Sequence, residues 1–410
     1  MFIRYKNDGK GRSVPVAKIY TQKEHPITNS QIDKDALWAI RKIQQAGGEA
    51  YIVGGAIRDM MLSRKPKDFD IATSLSPRQV QRLFWNARII GRRFRIVHLF
   101  FSGKIIEVTT FRSDEENFED GRNNLYGTIE QDARRRDFSI NSLYYNPSNG
   151  QILDFNDAMA DFRKKVIRSL IPLSYTFSED PVRMIRALKY QATTGFSLKH
   201  DVKKAIKKNA EHIQSCSTSR LTEEISKILA SGSSYQILMN LRKYGLLQFI
   251  LPCWSMYAGI DAVRESLEGL DSRINDAKKD GEPVAKEEQL YAFIKPLLVI
   301  DPEMAPEELF HEAFRQAKVL ISPMTPPNYE LEKAVDMVLR DLGIKRNRGR
   351  RSAEARALRK KPNTLGRKSA ANEELSSVPQ KKRKKKKKGS KRERVALPEQ
   401  AKTLAEEHDL

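Results

Sequence analysis

Cysteine is scarce, with only Cys216 and Cys253 in 410 residues. Two cysteines cannot build a disulfide framework or a cysteine-rich zinc site, so a reducing cytoplasm is the expected setting. No apolar run approaches the ~18 residues that a membrane span requires. The opening stretch MFIRYKNDGKGRSVPVAK has no apolar segment of the kind that marks a secretory signal. No repeat of solenoid length is visible. Acidic residues are also short, 52 Asp and Glu against 74 Lys and Arg, which leaves a net charge of +22. An imbalance of that size implies a polyanionic partner. Residues 345–410 carry 23 Lys and Arg against 8 Asp and Glu, so most of the excess sits in a tail.

What is present is a chain long enough for two or three cores, with a 40% hydrophobic content that suits a globular protein bearing a disordered addition. Residues 1–28 read as an irregular N-terminal segment. A helix is expected from Ser30 with the stripe Ile32, Ala36, Leu37, Ile40 and Ile43, stopped by Gly47-Gly48. The apolar run 50–53 reads as a strand that turns at Gly54-Gly55 into a helix, and residues 68–73 as a second strand. Ser76-Pro77 caps a further helix. Segments 94–101 and 104–111 form a hairpin about Ser102-Gly103, residues 112–127 a loop, and a helix runs from Glu130 past Asn141. Beyond about residue 160 helical periodicity takes over, with Pro181 and Leu221 in helices and a largely helical stretch over 235–342. The fold class is therefore α+β: a domain over 29–165 with a small mixed or antiparallel sheet and flanking helices, then all-α regions over 166–235 and 236–344. The basic tail over 345–410 cannot bury enough apolar surface to order itself.

Chemistry concentrates on K-D-F-D-I at residues 67–71. On a strand, residues i and i+2 share a face, so Asp68 and Asp70 present two carboxylates together. Their repulsion is relieved by a hard cation such as Mg²⁺. Glu107 is the only acid in K-I-I-E-V-T-T-F, and Ile106 and Val108 point it away from the core. If the two strands are neighbours, Asp68, Asp70 and Glu107 can hold two metal ions. The alternative for Glu107 is an edge charge that discourages aggregation. Gly54 and Gly55 allow close backbone approach to a phosphate, with Arg58 one turn on, although a Gly-Gly pair also serves as a plain tight turn.

Together, G-G-x-x-R-D at 54–59, D-x-D at 68–70 and E-V-T-T-F-R at 107–112 resemble the class II nucleotidyltransferases, the bacterial poly(A) polymerases and CCA-adding enzymes. D-A-R-R-R-D-F-S-I-N at 132–141 resembles the family's R-R-D-F-[ST]-I-N motif, which implies contacts to nucleotide ribose and phosphates from Asp132, Arg135, Arg136, Asp137 and Asn141. E-D-P-V-R at 179–183 resembles E-D-x-x-R, which implies base recognition by Asp180 and Arg183; the local alternative is an N-cap in an ion pair. Residues 220–229, with Arg220, Glu224 and Lys227, resemble the helical motif that follows. The resemblance spans roughly residues 30–235. It makes 29–165 the catalytic head, 166–235 the base-recognition neck and 236–344 an RNA-binding body. One departure is Thr176, where family members commonly carry Arg.

The stretch 89–98, I-I-G-R-R-F-R-I-V-H, resembles the signature that marks poly(A) polymerases within this class, with Arg92, Arg93 and Arg95 as phosphate contacts. His98 receives no role. The run containing Lys381, Lys382, Arg383 and Lys384 suits sequence-independent grip on RNA. A nuclear or nucleolar address and a solubility tail are the alternatives for it. The resemblance thus implies a cytoplasmic bacterial enzyme that adds AMP from ATP to RNA 3′ ends with two Mg²⁺ ions. Candidate partners are RNA-decay or chaperone proteins and, peripherally, an anionic membrane. The competing readings are a CCA-adding enzyme and a non-catalytic RNA-binding protein on a decayed transferase fold.

Overall fold

The computed structural model describes residues 1–91, 95–113 and 126–344. Nine strands make one sheet: β1 (Phe2–Asn7), β2 (Ser13–Tyr20), β3 (Ala50–Val53), β4 (Asp70–Thr73), β5 (Ala87–Ile90), β6 (Ile96–Phe101), β7 (Lys104–Thr110), β8 (Leu143–Asn146) and β9 (Gln151–Asp154). Their spatial order is β1-β2-β9-β8-β3-β4-β7-β6-β5, and all neighbours are antiparallel except β4 and β7. The mixed sheet and the helical region after it agree with the α+β reading.

The first five helices are α1 (Lys34–Gln45), α2 (Gly55–Met61), α3 (Pro77–Leu83), α4 (Ile129–Arg134) and α5 (Ala158–Lys164). They divide between the two faces of the sheet. Ala36, Ile40 and Ile43 of α1, Ile57 and Met60 of α2, Val80 of α3 and Met159 of α5 pack with Ile52, Ile71, Leu99 and Val108 in the main core. On the other face Ile129 and Ala133 of α4 cover Tyr51, Val53, Ala72, Phe111 and Tyr144. Among the described residues that cover extends over only part of the sheet. Beyond it Ile105 of β7, Phe100 of β6 and Ile90 of β5 are exposed.

Several boundaries differ from the sequence reading. The segment over 1–28 is not irregular but contributes β1 and β2; β1 is exposed along its whole length, so no alternation marks it. Helix α1 starts at Lys34 rather than Ser30, because Thr28 and Gln31 close a capping box around a single 3₁₀ turn and Asp33 then caps Asp35 N at 2.8 Å. The helix from Glu130 stops at Arg134, and β8 and β9 follow. β8 lies at the sheet centre with Leu143, Tyr144 and Tyr145 all buried, and a short, wholly apolar run carries no period to distinguish strand from helix.

The helical region comprises α6 (Thr176–Glu179), α7 (Val182–Thr194), α8 (His200–Lys208), α9 (Thr218–Leu229), α10 (Ser234–Lys243), α11 (Leu247–Ile250), α12 (Pro252–Tyr257), α13 (Asp261–Asp280), α14 (Lys286–Ile294), α15 (Pro306–Ile321) and α16 (Asn328–Asp341). A two-stranded parallel pair, β10 (Val166–Ile167) with β11 (Ser197–Leu198), ties its beginning together. Leu188 of α7, Ile225 of α9, Trp254 of α12 and Phe293 of α14 belong to one continuous core. Among the described residues no helix is long and apolar enough to cross a membrane.

Candidate active site

Asp70 opens β4, and Asp68 lies two residues ahead of it in the connecting segment, so the strand is shorter than expected. β4 runs parallel to β7 with Asp70 and Glu107 as register partners. Ile71 and Val108, the next pair, are buried in the main core, so Asp70 and Glu107 share the opposite face. Glu107 points to solvent, its side chain 46% exposed. Asp70 is pushed up to about 6 by burial first, then by the charges of Glu107 and Asp68, against the pull of Arg136. Among the described residues no three His, Cys, Asp or Glu side chains are gathered into a ready-made metal cage. The acids are instead electrostatic neighbours. Hard carboxylate oxygens with one member raised by its neighbours are a donor set that a Mg²⁺ ion would relieve, so these residues fit the metal chemistry.

Gly54 follows β3 with φ +69°, a backbone that only glycine adopts without strain. A Cβ built there would stand 3.6 Å from Asp70 Oδ2, which places the turn beside the acid. Gly55 starts α2, and Arg58 one turn on donates to Asp59 Oδ1 at 3.0 Å and Asn141 Oδ1 at 3.0 Å. Asn141 Nδ2 in turn donates to Asp137 Oδ1 at 3.1 Å, and Asp137 Oδ2 pairs with Arg186 at 2.7 Å. Burial opposes the Asp137 charge, but Arg186 and the bond from Asn141 outweigh it and hold its carboxyl below the usual range. Arg58 of one motif and Asn141 and Asp137 of another are thus one chain of contacts from α2 to α7. Arg186 was not foreseen. Its signal was available, since it lies three residues beyond Arg183 on the same helix. Tyr190, another omission, has Arg58, Arg186 and Lys189 against its ring at 4.9, 5.7 and 5.8 Å.

The R-R-D-F segment divides. Asp132, expected at the nucleotide, is buried. It accepts from Arg136 at 2.8 Å, from Arg112 N at 3.2 Å and from the Tyr144 hydroxyl, so its carboxylate fastens α4 to the sheet. Arg136 lies over the Tyr144 ring in the same cluster and acts on Asp70 through its charge. Arg135 caps the end of α4.

Asp180 and Arg183 do not pair with each other. Asp180, at the junction of α6 and α7, meets Arg220 of α9 at 3.0 Å. Arg183 binds Glu179 and donates to Thr176 O at 3.1 Å. Thr176 is buried beneath this contact. Glu224 pairs with Lys189 at 2.8 Å and Lys227 at 3.2 Å, so all three residues of the helical motif turn toward charged partners. Arg95 is exposed just ahead of β6. Arg92, Arg93 and the lysine run with Lys381, Lys382, Arg383 and Lys384 lie outside the described residues. His98, given no role above, approaches Glu107 Oε1 at 3.5 Å.

The chain is similar to known proteins over most of its length. The model of the poly A polymerase head domain matches residues 50–168, and that of the probable RNA and SrmB-binding site of polymerase A matches 195–257. Poly(A) polymerase I of Salmonella typhimurium is 33% identical over 367 residues, covering 82% of this chain and 78% of its own. A CCA-adding enzyme of Lactobacillus delbrueckii is 33% identical over 224 residues, 54% of this chain and 56% of its own. Among solved structures, the Bacillus stearothermophilus CCA-adding enzyme in complex with CTP superposes with a TM-score of 0.50 at 25% identity, covering 76% of this chain and 83% of that one.

Proposed function

The chain belongs to the nucleotidyltransferase family of bacterial poly(A) polymerases and CCA-adding enzymes, and from that premise we propose that it is a template-independent polynucleotide adenylyltransferase. It joins the α-phosphate of ATP to the 3′-hydroxyl of RNA, releases pyrophosphate and repeats. The observation that carries the transfer chemistry is the Asp70–Glu107 register on parallel neighbours, with Asp68 beside it. Asp68, Asp70 and Glu107 would hold two Mg²⁺ ions, which when bound lower the pKa of the attacking hydroxyl and neutralise charge on the leaving pyrophosphate.

The chain's own groups then divide the work. Gly54 gives the triphosphate access to the backbone beside Asp70. Arg58, steered by Asn141 and Asp59, supplies a cation for phosphate oxygens. Arg135 adds a second. Asp137 holds Asn141 and Arg186 in place. Asp180 and Arg183 offer an acceptor and a forked donor to the base edge once they leave Arg220 and Glu179. Arg95, with Arg92 and Arg93 and the basic tail, grips RNA phosphates without regard to sequence. The proposed site of action is the bacterial cytoplasm.

Choice of ATP rests on two supports. The 89–98 segment resembles the signature of poly(A) polymerases within this class, and the similarity to the poly(A) polymerase reaches over 367 residues against 224 for the CCA-adding enzyme. A second reading, CCA addition, is favoured by the superposition on the enzyme in complex with CTP. The test supplies each of the four nucleoside triphosphates separately to an unstructured RNA and to a tRNA lacking its end. Repeated incorporation from ATP on the unstructured RNA is expected. Strong incorporation from CTP confined to the tRNA would replace the first reading with the second.

A further inference from the structure

Beyond the acids the open face of the sheet continues, and its side chains follow from the register. Glu107 on β7 faces His98 on β6, and His98 faces Arg88 on β5. With Asp70 on β4, four register partners form one row across four strands, spaced by about 4.8 Å per strand. The alternate residues Val97, Leu99, Ile106 and Val108 are buried in the main core, which fixes the row on the outer face. The row is flanked on both sides: Ile105 pairs with Phe100 on one, and Ile96 with Ile90 on the other. Phe100, Ile105 and Ile90 are 37%, 45% and 43% exposed. Arg88 lies over the Phe100 ring at 5.3 Å. Arg95 stands exposed at the head of β6. An aromatic and two isoleucines open around the guanidinium of Arg88 form a surface of the kind that marks a ligand site.

We propose that this face, built from Arg88, His98, Phe100 and Ile105, is the docking platform for the 3′-terminal nucleotides of single-stranded RNA. The proposal rests on the transferase reading above and specifies where its acceptor strand lies. Three observations select this occupant. The platform is continuous with Glu107, where a 3′-hydroxyl must arrive. Beyond the acids at Asp70 and Glu107 its cations are Arg88 and Arg95, which complement a phosphate backbone. Its apolar members are a flat ring and branched side chains, which suit base stacking and tolerate any sequence. His98, at 3.5 Å from Glu107, is the positioning residue between platform and acids.

The test uses the full chain and an unstructured RNA carrying 4-thiouridine at one of its last three positions. Irradiation should cross-link these bases to the peptide spanning residues 86–101. Cross-links confined to other parts of the chain would overturn the proposal, whether or not the RNA binds. In parallel, Arg88→Ala and Phe100→Ala should each raise the KM for RNA about tenfold, the scale of one lost stacking contact, while the KM for ATP stays the same. Phe100→Trp should restore the RNA KM, which a merely structural role for this exposed position would not predict. Unchanged RNA KM in both alanine variants would overturn the proposal. A shift in oligomeric state with that unchanged KM would reassign the face to a second copy of the chain. Failure of the transferase reading is a separate result: no incorporation by the unaltered chain from any triphosphate, which the cross-linking does not depend on.

Discussion

The two ends of the proposed nucleotide site are opposites in charge balance. At the sheet, Asp68 and Glu107 act on Asp70 through their charges; no ion pair between described residues reaches Asp68 or Asp70, and Asp70 is raised to about 6 by burial and these neighbours. At the helices, every acid has a cation: Asp180 has Arg220, Glu179 has Arg183, and Glu224 has Lys189 and Lys227. The first is an electrostatic deficit that binding would fill. The second is a set of contacts already made, which a base must exchange for its own. The sheet end is therefore suited to drive binding of cations, and the helical end to discriminate by swapping one hydrogen bond for another.

The largest effect should come from deleting the deficit. Asp68→Ala and Asp70→Ala are expected to lower nucleotide incorporation by at least about 10³-fold, the scale of losing a group that stabilises charge in a transition state. RNA affinity should persist. Retained incorporation in both variants would break the contrast at its strongest point.

The next effect is on stability. A carboxyl raised from 3.8 to about 6 binds a proton in the folded chain that the unfolded chain has already released between those values. Stability from this group is thus greatest at low pH and falls as pH rises through about 4 to 6. Asp70→Asn removes that titration. It should be more stable than the unaltered chain at pH 7, by on the order of 2–3 kcal/mol, with the gap closing near pH 4. Urea midpoints at the two pH values measure it. Millimolar Mg²⁺ should raise the midpoint of the unaltered chain at pH 7 and move Asp70→Asn much less. Equal midpoints at pH 7 without metal would show that the acids carry no deficit.

The same contrast explains which parts were legible in the sequence. The sheet end is legible where its signals are local: a short apolar run, a Gly-Gly turn, and acids whose apolar neighbours at i±1 fix their face. The pairing of β4 with β7 is non-local and was reached only as a condition. For Asp132 the motif implies a nucleotide contact, while the structure shows a buried acceptor for Arg136, Arg112 N and Tyr144, partners that motif resemblance does not report. The helical end was partly visible. Asp180 and Arg183 were found as residues, but their separate partners, Arg220 and Glu179, depend on how α9 packs on α7, which no spacing within either helix reports. The strands β1 and β2 escaped for a simpler reason, since β1 is exposed throughout with a bulge at Arg4 and Tyr5, and β2 buries only Ala17 and Tyr20, three residues apart, which is not a strand's alternation.

A smaller effect should appear in base choice. If the helical end selects by exchange, Arg183→Ala removes the forked donor and should reduce the preference for ATP over CTP about tenfold, a loss on the scale of one charge-assisted hydrogen bond. The ratio of kcat/KM for the two triphosphates measures this. Arg220→Ala frees Asp180 rather than deleting it, and the exchange view expects a lower KM for ATP in that variant. An unchanged ratio in Arg183→Ala would assign these pairs to packing alone.

The smallest effect tests the link between the two ends. Asn141 joins Arg58 beside the acids to Asp137, which holds Arg186 on α7. Asn141→Ala removes both bonds and leaves Arg58 with Asp59 and the Tyr190 ring, so it should destabilise the chain by about 1–2 kcal/mol and raise the KM for ATP about threefold through a less fixed guanidinium. Asn141→Asp keeps the acceptor for Arg58 but sets a second carboxylate against Asp137, and repulsion there should loosen Asn141's side of the contact with α7. If the network only braces the fold, the two variants will lose stability without a change in KM. If it aligns the phosphate-binding cation with the base-recognition helix, KM for ATP will rise in Asn141→Ala more than in Asn141→Asp, because only the former takes away the oxygen that aims Arg58.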